Sequence, residues 1–190
     1  KIGLIGCGGR GTGAANQSLT ANEDAVIWAM GDAFQDRLSS SADTLKGEQG
    51  DRAVVPMERR FVGFNAFQQV IDSGVDMVIL TTPPHFRPEH LAAAVKAKKH
   101  VFCEKPMAVD GTGVRSVIES AKLAKENDTN LMSGFCWRYA PAMRATYEHL
   151  LGGSIGDVRS VFATYYTAPL WTKARKESWS DMEWQIRNWV

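Results

Sequence analysis

The chain opens with a short apolar run that leads directly into a cluster of glycines. Residues 2–5 (IGLI) have the composition of a buried strand, residues 6–11 (GCGGRG) match the pattern G-x-G-x-x-G, and residues 10–22 have helical spacing. In this order the glycines allow a tight turn and let backbone N–H groups approach a pyrophosphate. A plain tight turn is the alternative interpretation. The residues that would line a phosphate-binding turn are Gly6, Gly8, Gly9, Arg10 and Gly11.

Apolar runs without alternation recur along the chain and are separated by segments with helical spacing. Such runs occupy residues 25–30, 75–80, 100–103 and 131–135. Strands of this kind suit a parallel sheet that is covered on both faces. The alternation of strands and helices predicts an α/β fold with a doubly wound parallel sheet, a Rossmann dinucleotide-binding domain. We place this domain at residues 1–136, with the polar segment 43–60 as a loop.

The pattern makes two further predictions, one for a helix and one for a second domain. Asp110 can cap a helix whose apolar residues recur at helical spacing, namely Val114, Val117, Ile118 and Ala121. Residues 157–166 alternate like one more strand. We place the start of a second domain at residues 137–190. A lone strand would present an unpaired edge, so we expect a missing partner for it.

An acidic residue ends the second apolar run. Asp32 lies about 20 residues beyond the glycine turn, the spacing at which a carboxylate accepts hydrogen bonds from the adenosine ribose of a dinucleotide. The same carboxylate would repel a 2′-phosphate, which favours NAD over NADP as the cofactor. Arg10 and Arg37 oppose this preference, since either could neutralise such a phosphate. Arg37 could equally be an exposed residue of the helix that follows.

Polar residues and prolines follow the later strands at the point where each strand ends. In an open parallel sheet, ligands bind at the carboxyl ends of the strands, so we expect these residues to line one crevice. The candidates are Thr82, Pro83 and His85 after one strand, Glu104 and Lys105 after the next, and the segment that ends at Arg138 after the last.

Lys105 is the catalytic candidate in this crevice. Its amine could take the proton of a substrate hydroxyl as a hydride leaves the same carbon. Glu104 could bind a ribose hydroxyl or pair with Lys105. Pro106 removes an N–H and biases Lys105 to an extended backbone, and a cis Lys105–Pro106 bond is possible. The alternative is an exposed Glu-Lys pair that only ends a strand.

Composition argues against several other classes of function. The 22 Lys and Arg residues nearly balance the 21 Asp and Glu residues, so no net field favours nucleic acid or an anionic membrane. No apolar run is long enough to span a bilayer. The cysteines are few and far apart, which favours neither a disulfide framework nor a metal site. The chain begins inside a strand, without an initiator Met or an export signal, so we expect that an upstream segment has been removed. We expect a cytoplasmic protein, with export after removal of a signal as the alternative.

Segments spread over most of the chain form a recognisable combination, IGCGGRGTG, TTPPH, HVFCEKPMA and GFCWRYAPAMR. Together they resemble the Gfo/Idh/MocA oxidoreductases, the family of glucose-fructose oxidoreductase and inositol 2-dehydrogenase. The resemblance implies an NAD(P)-dependent oxidoreductase that acts on a secondary alcohol of a sugar, cyclitol or similar polyol, with Lys105 as the catalytic residue. It also implies a second domain that contacts substrate, an α+β open-sheet domain of which residues 137–190 would be the truncated start. We expect a homo-oligomer formed through that domain.

The chain departs from the family pattern around one residue and in its tail. Many members have a second histidine two positions after the one that matches His85, and Arg87 stands there in this chain. The tail is shorter than the family's second domain. It carries aromatic residues that suit either a sugar-binding rim or contacts to a partner domain or subunit, namely Trp171, Trp179, Trp184 and Trp189. Arg138 and Trp171 are the candidates for substrate contact.

Two other functions are compatible with the same residues. An NAD-dependent glycoside hydrolase would use transient oxidation and would release sugar without net consumption of NAD. A non-catalytic dinucleotide-binding sensor would need the glycine turn but not Lys105. Measurement of net redox change separates these alternatives from a dehydrogenase.

Overall fold

Six parallel strands form one sheet in the first part of the chain. The strands are β1 (Ile2–Ile5), β2 (Ile27–Asp32), β3 (Arg60–Val62), β4 (Met77–Leu80), β5 (His100–Cys103) and β6 (Leu131–Ser133). They lie in the order β3-β2-β1-β4-β5-β6, which is the doubly wound Rossmann order. The α/β fold expected from the alternating pattern is therefore confirmed. The strand order reverses between β1 and β4, which is where such sheets open a ligand-binding crevice.

Helices cover both faces of this sheet. They are α1 (Gly9–Ala21), α2 (Gln35–Gln49), α3 (Ala66–Asp72), α4 (Arg87–Lys96) and α5 (Gly111–Glu126), with 3-10 turns at Gly50–Ala53 and Met57–Arg59. Leu4 lies in a core built with α1 and α2, whereas its neighbour Ile5 lies in a core built with α3, α4 and α5. Successive strand residues face opposite cores, which explains why the strand sequences do not alternate.

This computed structural model describes residues 1–168 and 170–188, in two units, Lys1–Gly134 and Phe135–Val190. The second unit contains a 3-10 turn (Cys136–Tyr139), α6 (Pro141–Leu151) and α7 (Asp181–Arg187). Trp189 lies outside the described residues. Among those described, none belongs to a helix long and apolar enough to cross a membrane.

The strand expected at residues 157–166 is wrong, since this segment has no strand pairing in the structure. A strand needs a hydrogen-bonded neighbour, and the described part of the second unit contains no strand that could serve as one. Without a neighbouring strand, the alternation of side chains does not produce a strand here.

The loop expected at residues 43–60 is wrong at both ends, because α2 continues to Gln49 and β3 begins at Arg60. Residues 50–59 between them contain only two 3-10 turns and irregular backbone, so the loop is confined to that part. Leu38, Ala42 and Leu45 recur at helical spacing and are almost completely buried. These three side chains hold α2 on the sheet although most of its other residues are polar.

The predicted cap of α5 is confirmed, since the Asp110 side chain accepts a hydrogen bond of 2.6 Å from the Gly113 N–H. The helix nevertheless packs through a different face from the one that its largest apolar residues suggest. Val117 contacts the core and Ser120 and Ala124 are buried, whereas Val114 and Ile118 are 49% and 48% exposed. Small residues let α5 lie close to its neighbours.

Candidate active site

The glycine turn connects the end of β1 to the start of α1. Gly6 has a φ of +96°, and a Cβ on Gly11 would lie 1.9 Å from the carbonyl oxygen of Gly6. Side chains are therefore excluded at both ends of the pattern. A Cβ on Gly9 would have no atom within 4 Å, so this part of the turn is open. The first N–H groups of α1 have no acceptor within the helix and lie at its positive end, which suits a phosphate.

Asp32 fixes this turn to the end of β2. Its Oδ2 accepts a hydrogen bond of 2.7 Å from the Cys7 N–H, and its Oδ1 accepts one of 2.8 Å from the Phe34 N–H. The side chain is buried. Burial raises the pKa of Asp32, while its two hydrogen bonds and the charge of Arg37 act in the opposite direction. The carboxylate thus has a structural role in the turn besides the ribose contact expected from the sequence.

The two arginines near the turn lie on different sides of it. Arg37 lies beside Asp32, and its Nη1 is 3.9 Å from the position that a Cβ on Gly8 would take. The Arg10 Nε instead donates to the Glu104 Oε1 at 2.7 Å. Arg37 is therefore the arginine placed to influence a group bound next to Asp32.

The segment after β4 also joins the turn. The Thr81 hydroxyl donates to the carbonyl of Gly6 at 2.6 Å. Thr82 contacts the buried His90 through its hydroxyl, with 3.2 Å between the Thr82 Oγ1 and the His90 Nδ1. Pro83 accepts a hydrogen bond from the Phe86 N–H, and the exposed His85 ring contacts the edge of Phe86. Sequence reasoning missed Thr81 and His90, whose contacts are tertiary.

Glu104 is buried at the end of β5. Its carboxylate pairs with Arg10 and accepts a hydrogen bond of 3.2 Å from the backbone N–H of Lys105. A Cβ on Gly134, at the end of β6, would lie 2.9 Å from the Glu104 Cδ. Glu104 therefore does not pair with the Lys105 amine, and its contact with a ribose hydroxyl stays a prediction.

Lys105 is exposed, and the Lys105–Pro106 peptide bond is cis, which confirms the possibility raised from the sequence. Among the described residues, its amine has no hydrogen-bond or ion-pair partner. The amine is therefore available to a molecule bound at this edge of the sheet.

The two substrate-contact candidates belong to the second unit. Arg138 is exposed in the 3-10 turn Cys136–Tyr139, and Trp171 is 49% exposed in a segment without regular structure. Their assignment stays a prediction. In the part of the chain that the structure describes, no group of three or more His, Cys, Asp or Glu residues is placed to hold a metal ion.

The strand order, the open glycine turn and the carboxylate at the end of β2 define a dinucleotide-binding Rossmann domain. Residues 1–135 match the family described as "Oxidoreductase family, NAD-binding Rossmann fold", so the chain belongs to the Gfo/Idh/MocA oxidoreductases. The resemblance noted from the sequence motifs is thereby confirmed. The described residues at the turn and at Asp32 fit the NAD that gives the family its description.

The chain is similar to curated proteins and solved structures of this kind. It is 31% identical to the myo-inositol 2-dehydrogenase of Thermotoga maritima over 82% of this chain and 42% of that protein. The crystal structure of a probable dehydrogenase from Thermotoga maritima is 29% identical, with a TM-score of 0.61 over 82% of this chain and 42% of that one. A 3-ketoreductase from Actinomadura kijaniata in complex with NADP is 26% identical, with a TM-score of 0.61 over 83% and 45% of the two chains. The chain thus spans less than half the length of these relatives.

Proposed function

We propose that the protein carrying this chain is an oxidoreductase that transfers a hydride between NAD and a secondary alcohol of a sugar, cyclitol or similar polyol. The observation that carries the proposal is the position of Lys105. Its amine is exposed and has no partner among residues 1–168 and 170–188, and it follows β5 at the same edge of the sheet as the glycine turn and Asp32. Relatives named as an inositol dehydrogenase and a ketoreductase support this substrate class.

Each residue of the site has a distinct role in this proposal. The open start of α1 holds the pyrophosphate, and Asp32 accepts hydrogen bonds from the adenosine ribose. When bound, NAD supplies the group that accepts or returns the hydride. Lys105 takes the proton of the substrate hydroxyl during oxidation and returns it during reduction. Arg138 and Trp171 are proposed to contact the substrate.

Replacement of Lys105 tests the proposal in the intact protein. Lys105→Ala should keep the affinity for NADH, measured by fluorescence titration, and should lose about 100-fold or more of polyol turnover, as expected for removal of a general base. Lys125→Ala, which changes an exposed lysine on α5, should leave both quantities unchanged. Equal turnover by Lys105→Ala and the wild type would contradict the role of Lys105.

The wild-type protein separates the alternative functions. Release of sugar from a glycoside without accumulation of NADH would identify a hydrolase. Binding of NADH without turnover of any polyol or glycoside would identify a sensor.

Homo-oligomerisation and a cytoplasmic location stay predictions. Light scattering of the intact protein checks the first, and cell fractionation checks the second.

A further inference from the structure

Arg87 occupies a position that is unfavourable for a positive charge. It is the first residue of α4, where the helix dipole is positive, and only 3% of its surface is exposed. Burial lowers the pKa of its guanidinium, while the charges of Cys103 and Glu104 act more weakly in the opposite direction. Within the described residues, no carboxylate lies at ion-pair distance from it. The electrostatics of α4 therefore give no reason for an arginine here.

The hydrogen bonds of Arg87 supply that reason. Its Nε donates to the carbonyl of Thr82 at 2.7 Å. Its Nη1 donates to the carbonyl of Glu104 at 3.0 Å and to the carbonyl of Pro106. One planar guanidinium thus binds the backbone that follows β4 and the backbone that follows β5.

The backbone around Lys105 depends on these bonds because the sheet no longer holds it. The last ladder bond at this end of β5 runs from the Glu104 N–H to the carbonyl of Leu80. Beyond it, the Lys105 N–H turns back to the Glu104 side chain, and Pro106 has no N–H. The two carbonyls that Arg87 binds on this segment belong to the residues immediately before and after Lys105.

We propose that Arg87 is the positioning residue of Lys105: its guanidinium fixes the backbone on both sides of the lysine and so sets where the amine stands. This inference rests on the proposed function of Lys105. The inference gives a role to Arg87, which stands where many members of the family have a histidine. A histidine has two ring nitrogens and cannot reproduce the fork of an arginine.

The proposal requires a guanidinium and not only a positive charge. A lysine is a single point donor and cannot span carbonyls on two separate segments in the same way. Arg87→Lys should therefore behave like Arg87→Gln in the segment around Lys105, although it keeps the charge. In Arg87→Ala, the vacated space should accept a free guanidinium ion.

Hydrogen exchange followed by mass spectrometry on the intact protein tests the inference without reference to activity. Arg87→Gln and Arg87→Lys should each speed exchange in peptides that cover residues 101–110, with peptides from β1 and β2 unchanged. Arg52→Gln is the matched control. Arg52 also donates to backbone carbonyls, at Leu19 and Asn22, but its change should leave residues 101–110 unaffected.

Turnover and chemical rescue give the second readout. Arg87→Gln should lower kcat by about 100-fold, the cost of a small misplacement of a reacting group, and should keep the dissociation constant of NADH. Millimolar guanidinium should restore turnover to Arg87→Ala, and equimolar ammonium should not. The same addition should not restore Lys105→Ala.

The outcomes separate this inference from the proposed function. Unchanged exchange at residues 101–110 in both Arg87 variants, or wild-type kcat in Arg87→Gln, would overturn the positioning role. If the wild type oxidises no polyol but the exchange result is as expected, the proposed function fails and the structural role of Arg87 stands. Should Arg87→Gln not fold, Arg87→Lys provides the same comparison.

Discussion

The Nε of Arg10 and the Oε1 of Glu104 lie 2.7 Å apart although 94 residues separate them in the chain. Arg10 comes from the glycine turn and Glu104 from the end of β5, so the pair joins two segments that would both contact a bound dinucleotide. The Glu104 side chain is 5% exposed, whereas that of Arg10 is 49% exposed. Loss of the arginine would leave a buried carboxylate without its cation.

We therefore expect Arg10→Ala to lower the free energy of unfolding by about 1–3 kcal/mol, measured by urea denaturation. Adding Glu104→Gln should recover part of this loss, because a neutral amide costs less to bury than an unpaired carboxylate. Arg115→Ala, which removes an exposed arginine on α5, should change stability by less than about 0.5 kcal/mol. Equal effects of Arg10→Ala and Arg115→Ala would show that the pair contributes nothing.

Gly11→Ala should destabilise the fold by about 1–3 kcal/mol or more, since the new Cβ would lie 1.9 Å from the Gly6 carbonyl oxygen. The neighbouring Gly9→Ala provides the control, because a Cβ there meets no atom within 4 Å and alanine favours the helix. Thermal unfolding of both variants checks the difference. The explanation fails if both substitutions cost the same.

Asp32 should make the protein prefer NADH to NADPH. Asp32→Asn removes the negative charge next to Arg37, so the ratio of NADPH to NADH affinity should rise by about tenfold, or about 1.4 kcal/mol. Fluorescence titration with both cofactors measures this ratio. Arg37→Ala in the same background should reverse the gain, and a ratio insensitive to Asp32 would place the ribose elsewhere.

His90 should make the fold less stable in acid. Burial lowers the pKa of His90 to about 4, below its usual value of about 6.5. Between these values the unfolded chain binds the proton more readily, so stability is lost as the pH falls from about 6.5 to about 4, by about 3 kcal/mol at most. His90→Gln should lack this part of the pH dependence.

Urea denaturation of the wild type and His90→Gln at several pH values in this window checks the sign. The stability difference between them should shift against the wild type on acidification. His149→Gln, at an exposed histidine of α6, should follow the wild type. A constant difference between the wild type and His90→Gln would mean that His90 titrates alike in both states.

The elements that depend on a local sequence pattern could be predicted from the sequence. The unalternating strands, the glycine turn and the Asp110 cap all depend on residues close together in the chain, and each is present. The short edge strand β3 and the far end of α2 could not be found in this way. The far end of α2 is mostly polar, and the burial of Leu45 decides its conformation. β3 has only three residues, and its conformation depends on pairing with β2, which is distant in the chain.

Within the candidate site, the same distinction holds. Lys105 and Asp32 could be singled out because they stand at strand ends, which a local pattern reveals. Arg87 could be recognised only as a departure, since its acceptors at Glu104 and Pro106 lie 17 and 19 residues away. The contacts of Arg10 with Glu104 and of His90 with Phe67 could not be predicted for the same reason.

The contact between Gly134 and Glu104 limits which substitutions the family can accept at these two positions. A side chain on Gly134 would collide with the Glu104 carboxylate, because even a Cβ would lie 2.9 Å from its Cδ. The two positions belong to neighbouring strand ends, and the Gly134 N–H donates to the Cys103 carbonyl at 2.8 Å. We therefore expect them to be inherited as a pair. Homologues that acquire a larger residue at one position should have accepted a smaller one at the other, and an alignment of many members would reveal this as correlated substitution.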